Sequence, residues 1–333
     1  KNLGTGAVTG EGSRPSEFKL IASVFAPLTD GDHRALGLSD DAAVLKQRGG
    51  FDTVITTDTM IGGVHFLETE SPYLIARRLL RVNLSDLASM GAIPIGYFLN
   101  LTLNNLADGQ WLNRFADGLR LDQDEFGFCL LGGDTTQARK DLTLTATFVG
   151  EVKTGCAITR NGAKIGDDVY VSGTIGDAAA GLKHLLAGDT GPAAIIRRFQ
   201  LPDPRISLGL RLSGLVTAAA DVSDGLHADL GHICKASRVS ATIMGNQVPV
   251  SSELGKRLAS GDLNFGEVVS GGDDYELVFT ASPNAAEGIG KAAELAGVKV
   301  TKIGSVFSGP PIVRILDPSG REISLETHGY CHF

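Results

Sequence analysis

The chain has 333 residues, 43% hydrophobic and 20% charged, with a formal net charge of −8. That length and balance suit a globular protein of two domains. No apolar run is long enough to span a bilayer and no basic patch is visible, so neither a membrane nor a nucleic acid is expected as a partner. The opening segment, 1–16, is polar and Gly-rich, lacks the apolar core of a secretory signal, and reads as a flexible N-terminal stretch. A helix is predicted over 17–26, with Phe18, Ile21, Ala22 and Phe25 on one face and Pro27 as its stop. Strands follow at 41–45 and 53–57. Ser71 and Pro72 open a helix, as cap and first residue, which runs to Met90 and ends at Gly91. Next come a strand at 97–103, a helix at 110–121, and strands at 126–131 and 142–149. The polar, Gly-containing stretch 151–166 marks a boundary, giving an N-terminal domain over 17–152 and a C-terminal domain over 153–333. In the second domain the pattern predicts a strand at 168–172, helices at 177–186 and 204–215, a strand at 218–222 and a helix at 226–236. A strand at 277–280, a helix at 285–296 and strands at 298–303 and 312–316 complete it. Short strands alternating with helices place the chain in the α/β or α+β class.

Cys129, Cys156, Cys234 and Cys331 lie far apart with no Cys-x-x-Cys pair. This argues against a zinc site and a disulfide framework and suits a reducing cytoplasm. The informative residues are aspartates at the ends of apolar runs. Asp41 opens the stretch Ala42-Ala43-Val44-Leu45, and Asp58 ends Val54-Ile55-Thr56-Thr57. Asp86 lies three residues after Asn83 on one helix face. Asp134 follows Gly132-Gly133, Asp221 and Asp224 flank Val222-Ser223, and Asp273 follows Gly271-Gly272. Each has an ordinary alternative: Asp224 can cap the following helix, Asp134 and Asp273 can sit in Gly-Asp turns, and Asp86 can face solvent.

Their repetition suits a hard cation, because magnesium takes oxygen ligands. Carboxylates alone repel a nucleotide, but divalent ions between them and the phosphates reverse the sign. The Gly-Gly steps would let backbone amides approach phosphate oxygens. No Gly-x-x-x-x-Gly-Lys-Ser/Thr loop, protein-kinase signature or His-Glu-x-x-His motif occurs. Gly288-Ile289-Gly290 follows a helical pattern and reads as helix packing.

The strings Thr56-Thr57-Asp58-Thr59, Gly63-Val64-His65-Phe66, Val82-Asn83-Leu84-Ser85-Asp86-Leu87-Ala88 and Gly132-Gly133-Asp134-Thr135-Thr136 resemble those of the thiamine-monophosphate kinase family. So do Arg160-Asn161-Gly162-Ala163-Lys164, Asp221-Val222-Ser223-Asp224-Gly225-Leu226, Gly271-Gly272-Asp273-Asp274-Tyr275-Glu276 and the ending Gly329-Tyr330-Cys331-His332-Phe333. The resemblance is collinear from Glu17 to the C-terminus. It implies the two-domain fold of the aminoimidazole-ribonucleotide-synthetase superfamily, a homodimer formed through the N-terminal sheet, and transfer of the γ-phosphoryl of ATP to thiamine phosphate. Carried over residue by residue, it places magnesium ligands at Asp41, Thr56, Thr57, Asp58, Asp86, Asp134, Asp221 and Asp224. It places ATP contacts at Gly133, Asp134, Arg160 and Ser223, and thiamine phosphate contacts at His65, Asp273 and a tail residue, Thr327 or Tyr330. Asp58, Asp134, Asp221 and Asp224 are the expected catalytic set. On the residues alone, Arg160 has a solvated surface side chain as its ordinary alternative, and His65 a satisfied loop histidine. Two further readings stay open at this stage. One is another ATP-using reaction of the superfamily, such as selenophosphate or aminoimidazole ribonucleotide synthesis, and the other is a non-catalytic nucleotide-binding module.

Overall fold

The computed structural model describes residues 17–38, 43, 45–46, 48–189, 191–317, 319–325 and 329. The expected ligands Asp41, Thr327 and Tyr330, and most of the strand predicted at 41–45, lie outside the described residues. The chain divides into two compact units, one of residues 1–47, 55–83 and 94–149 and the other of residues 48–54, 84–93 and 150–333.

The first unit begins with helix α1 (Glu17–Leu20). It continues as a π turn, Ile21–Phe25, and a 3-10 turn, Ala26–Thr29. Pro27 therefore does not stop the coil. It sits in the first turn of the 3-10 segment, where a missing N–H costs nothing. Then follow β1 (Phe51–Ile61), α2 (Pro72–Ser89), β2 (Ile93–Leu103), α3 (Gly109–Phe126), β3 (Cys129–Gln137) and β4 (Thr143–Lys153). The four strands form one sheet in the order β1-β4-β2-β3. β2 and β3 pair in parallel across the crossover helix α3, as a parallel pair requires. The predicted strand over 126–131 is displaced, because α3 runs on to Phe126 and closes at left-handed Gly127, whose N–H donates to the Gln123 carbonyl. Helices α2 and α3 meet closely. A Cβ on Gly118 would lie 2.3 Å from the Tyr73 carbonyl oxygen, so only glycine fits there. Beside that contact, fully buried Asp122 accepts from Arg77 Nε at 2.7 Å and from Arg81 Nε at 2.8 Å. Glu125 accepts from the Nη2 atoms of both arginines, which balances the two positive charges. Stacked Tyr97 and Phe148, with Phe128 set edge-on to both, fill the face of the sheet.

The second unit contains β5 (Asp168–Ser172), α4 (Asp177–Ala187), α5 (Ala193–Gln200), α6 (Ile206–Leu212), β6 (Ala218–Asp221), α7 (Leu226–Ser237) and β7 (Ser240–Met244). It ends with α8 (Ser252–Ser260), α9 (Phe265–Ser270), β8 (Leu277–Ala281), α10 (Ala286–Ala296), β9 (Val300–Phe307) and β10 (Val313–Leu316). Its six-stranded sheet has the order β10-β7-β9-β5-β8-β6. β6 is an edge strand, antiparallel to β8, and its residues are all buried. The alternation of a strand explains this. Ala218, Ala220 and Val222 enter one core with Leu226, Leu230 and Ile233 of α7. Ala219 enters the other with Leu208, Leu212 and Ile289. Sheet faces covered on both sides leave the functional residues to the strand ends and the loops beyond them.

Candidate active site

β6 ends in Asp221, which is buried. The chain then turns through Val222, Ser223 and Asp224 into α7. A second segment, 271–276, is laid against this turn by the backbone. The N–H of Asp273 donates to the Ser223 carbonyl at 2.8 Å and that of Tyr275 to the Val222 carbonyl at 2.8 Å, while Val222 N–H donates to Glu276 at 2.8 Å. Asp273 and Tyr275 both adopt positive φ, 71° and 50°, a strained conformation that persists only when its surroundings hold it. The result is a sorted alternation. Asp274 and Glu276 are fully buried, whereas Asp273 and Tyr275 stay partly exposed on the side of the Ser223 turn. The structure thus brings Asp221, Ser223, Asp224 and Asp273 together. Gly329 lies against the same turn. A Cβ on Gly329, between the expected contacts Thr327 and Tyr330, would lie 3.0 Å from the Asp224 carbonyl oxygen.

The glycines here are dictated by approach. A Cβ on Gly272 would fall 2.4 Å from the Ser223 carbonyl oxygen. Gly272→Ala is therefore expected to push the two segments apart and to destabilise the protein by about 1–3 kcal/mol. Urea unfolding checks this, and an unchanged midpoint would show the segments free to separate at no cost.

Asp224 does not cap α7. The cap residue is Gly225, with no side-chain cap bond. The carboxylate that gathers the turn is Asp229, in the first turn of α7. Its Oδ2 accepts the N–H groups of Ser223 at 3.0 Å, Asp224 at 3.0 Å and Gly225 at 3.1 Å. Burial, with Asp224 adding to it, raises the Asp229 carboxyl to about 7. The Arg160 guanidinium works in the opposite direction on it and also holds the His232 imidazole below its ordinary range, where burial is the first cause. Arg160 is exposed, but its segment is fixed. Ser237 Oγ donates to the Arg160 carbonyl at 3.1 Å and accepts from Gly162 N–H at 3.0 Å. Neither Asp229 nor His232 stood out in the sequence. An acid in the first turn after a Gly-capped strand end was the available signal.

Asp274 accepts from the N–H groups of Gly176 at 2.7 Å and Ala178 at 3.2 Å, at the start of α4. Complete burial still raises its carboxyl to about 7. A carboxyl raised from 3.8 when folded stabilises fully below the unfolded value, and that stability is lost as pH rises through about 7. The urea midpoint is accordingly expected to fall between pH 5 and pH 8, by roughly a few kcal/mol at most from this group. The fall should shrink in Asp274→Asn, which mimics the neutral acid. An identical slope in the variant would remove Asp274 from the cause.

The expected ligands Thr56, Thr57, Asp58 and Asp134 are spread over one sheet. β1 carries Thr56, Thr57 and Asp58, whose side chains alternate between faces. Thr57 lies on the exposed face, 3.0 Å from Thr147 Oγ1 on β4, with the similar Thr59–Thr145 pair beside it at 2.8 Å. Thr56 and Asp58 turn to the other face and are partly buried. Asp134 is not in a turn. It lies inside β3, opposite Asn100 of β2, and its Oδ1 accepts from Thr135 N–H at 2.8 Å. β1 and β3 are the two edge strands, so the sheet does not set Asp58 beside Asp134. Gly133 and Asp134 line a cavity of about 550 Å³ with Phe98, Asn100 and Leu101. A Cβ on Gly133 would meet the Leu99 carbonyl oxygen at 1.9 Å, so the neighbouring strand alone already requires this glycine. His65 Nδ1 accepts from Ile61 N–H at 3.0 Å, which leaves the proton on Nε2. Asp86, which belongs to the second unit, is half-buried in the last turn of α2, where its carbonyl accepts from Ser89 Oγ at 2.8 Å.

The donor set is one of hard oxygens, with buried and half-buried carboxylates at Asp221 and Asp224, and it fits magnesium. Among the described residues no helix is long and apolar enough to cross a membrane.

Two family models match the chain. The AIR synthase related protein N-terminal domain covers 39–152, and the C-terminal domain of the same description covers 164–317. The chain therefore has the two-domain AIR-synthase-related architecture. A thiamine-monophosphate kinase of Caulobacter vibrioides is 43% identical over 96% of this chain and 91% of the relative. The crystal structure of thiamine-monophosphate kinase from Stenotrophomonas maltophilia K279a superimposes with a TM-score of 0.82 at 38% identity, covering 92% of this chain and 98% of that one. AaThiL complexed with AMPPCP and TMP gives a TM-score of 0.75 at 27% identity, over 95% and 94% of the two chains. Within that architecture, the chain belongs to the thiamine-monophosphate kinase family.

Proposed function

We propose that this enzyme transfers the γ-phosphoryl group of ATP directly to the phosphate of thiamine phosphate, forming thiamine diphosphate. The observation that carries the reading is the backbone-locked pair of segments that sets Asp221, Ser223 and Asp224 beside Asp273. The binding of AMPPCP, an ATP analogue, and TMP by a 27% identical relative supports the substrates. The acceptor is a phosphate oxygen, ionised at neutral pH, so no general base is needed. The barrier is repulsion between two polyanions. Magnesium, when bound, supplies the neutralising charge. Asp221 and Asp224 would hold it, as would Asp41, Asp58, Asp86 and Asp134 with Thr56 and Thr57. The Thr57 side chain points to the opposite face from Thr56 and Asp58, so it does not join theirs at one ion. Gly133, Arg160 and Ser223 would contact ATP, and His65, Asp273 and Thr327 or Tyr330 would contact thiamine phosphate. Positioning the two substrates in line is the remaining task of the protein.

The same reading divides the chain at 152/153, places it in the cytoplasm, and makes it a homodimer through the exposed face of the first sheet. Ile55 is 65% exposed on that face, in line with Thr57 and Thr59, and an exposed apolar side chain among threonines suits a sheet contact. Sedimentation should give twice the chain mass, and Ile55→Asp should lower it towards one. A wild-type monomer would end the dimer proposal. Incubation with ATP, Mg2+ and thiamine phosphate, followed by chromatography of thiamine diphosphate, tests the reaction. ATP consumption without that product would overturn it.

A further inference from the structure

The Asp229 carboxylate has two unequal oxygens. Oδ2 is saturated by three backbone N–H donors. Oδ1 is buried and has no hydrogen-bond partner among the described residues, in a side chain that is 1% exposed. An orphan carboxylate oxygen in the interior is costly and calls for a cation or a donor. Ligand atoms of Asp224, Asp229 and His232 all lie within 4.8 Å of one another. Asp229 and His232 are three residues apart on α7 and share a face, and His232 is on the exposed side of the group. Two carboxylates at this separation repel unless a positive charge lies between them.

We propose that Asp224, Asp229 and His232 form a divalent-cation site with a nitrogen ligand. An imidazole beside two carboxylates suits Mn2+ and later transition ions better than Mg2+, which prefers oxygen. The site shares Asp224 with the proposed function, but needs no turnover to exist.

The test uses the full chain with Mn2+ alone as probe. Pulsed electron paramagnetic resonance of the bound ion is expected to show 14N modulation from a coordinated imidazole. His232→Gln, at an exposed position where folding is not at risk, should abolish that modulation. Asp229→Asn should weaken Mn2+ binding by about tenfold or more. Absence of nitrogen modulation in the wild type, or its persistence in His232→Gln, would overturn the site. Thiamine diphosphate formation with Mg2+ is measured on the same samples. If it is absent while the nitrogen signal behaves as expected, the proposed reaction fails and the cation site stands.

Discussion

Asp224→Asn is expected to lower kcat by roughly a hundredfold to a thousandfold or more, while the protein melts as the wild type does. The two halves of that expectation have separate causes. Asp224 is half-buried, forms no cap bond to α7, and its carboxylate lies against Asp229, whose own ionisation it opposes. Removing its charge relieves a repulsion in the metal-free protein, so stability should hold or rise slightly. In the working enzyme the same charge would hold a cation against the phosphates, and a neutral amide binds magnesium far more weakly. Steady-state kinetics with ATP and thiamine phosphate, repeated over a range of Mg2+ concentrations, should show the deficit partly recovered at high Mg2+. A near-normal kcat at ordinary Mg2+ would remove Asp224 from the reaction. A low kcat with a collapsed melting temperature would make the residue structural.

Elements are legible in the sequence where periodicity and breakers agree. β5 and α4, with their apolar runs and Gly boundaries, fall at the expected positions. α5, β7, α8 and α9 were not anticipated, since each is nine residues or fewer and takes its order from packing rather than from a long pattern. The Asp221–Asp224 turn is legible because acids after an apolar run are unusual, and Asp273 because it follows the Gly271-Gly272 step. What holds them is not. Asp274 and Glu276 act through buried contacts to residues far away in the chain, and nothing local distinguishes them from surface acids, whereas Asp229 gathers the turn just before it and is marked only by its place in the first turn of α7. Asp134 shows the opposite case. Gly132-Gly133-Asp134 has the composition of a turn, yet parallel pairing with β2 keeps it extended.

Glu276→Ala is expected to destabilise the protein by about 3–5 kcal/mol, the largest single effect on stability foreseen here. Glu276 is fully buried and is clasped on every side. Its Oε1 accepts from Arg198 Nη2 at 2.7 Å and Arg205 Nη2 at 2.6 Å, and its Oε2 accepts from Arg205 Nε at 2.7 Å and Ser172 Oγ at 2.6 Å. The space for it is reserved, since a Cβ on Gly173 would lie 2.1 Å from Oε1. Truncation would leave two arginines facing each other in the interior with Asp203, which is mostly exposed, as the remaining partner of Arg205. Glu276→Gln keeps the volume and two polar atoms but removes the charge, so it should cost less than Ala and more than a surface change. A double-mutant cycle with Arg198→Met separates pairing from the penalty of an unpaired cation. If the second dominates, the double variant will be more stable than Glu276→Ala alone. Activity should fall with stability, because losing the side-chain clasp loosens the segment whose Glu276 carbonyl accepts from Val222 N–H beside the turn that carries Ser223 and Asp224. Urea unfolding reads the first effect, and kcat well below the melting temperature reads the second. A cost under about 1 kcal/mol would mean that solvent reaches these arginines and that the 271–276 segment is held by its backbone alone.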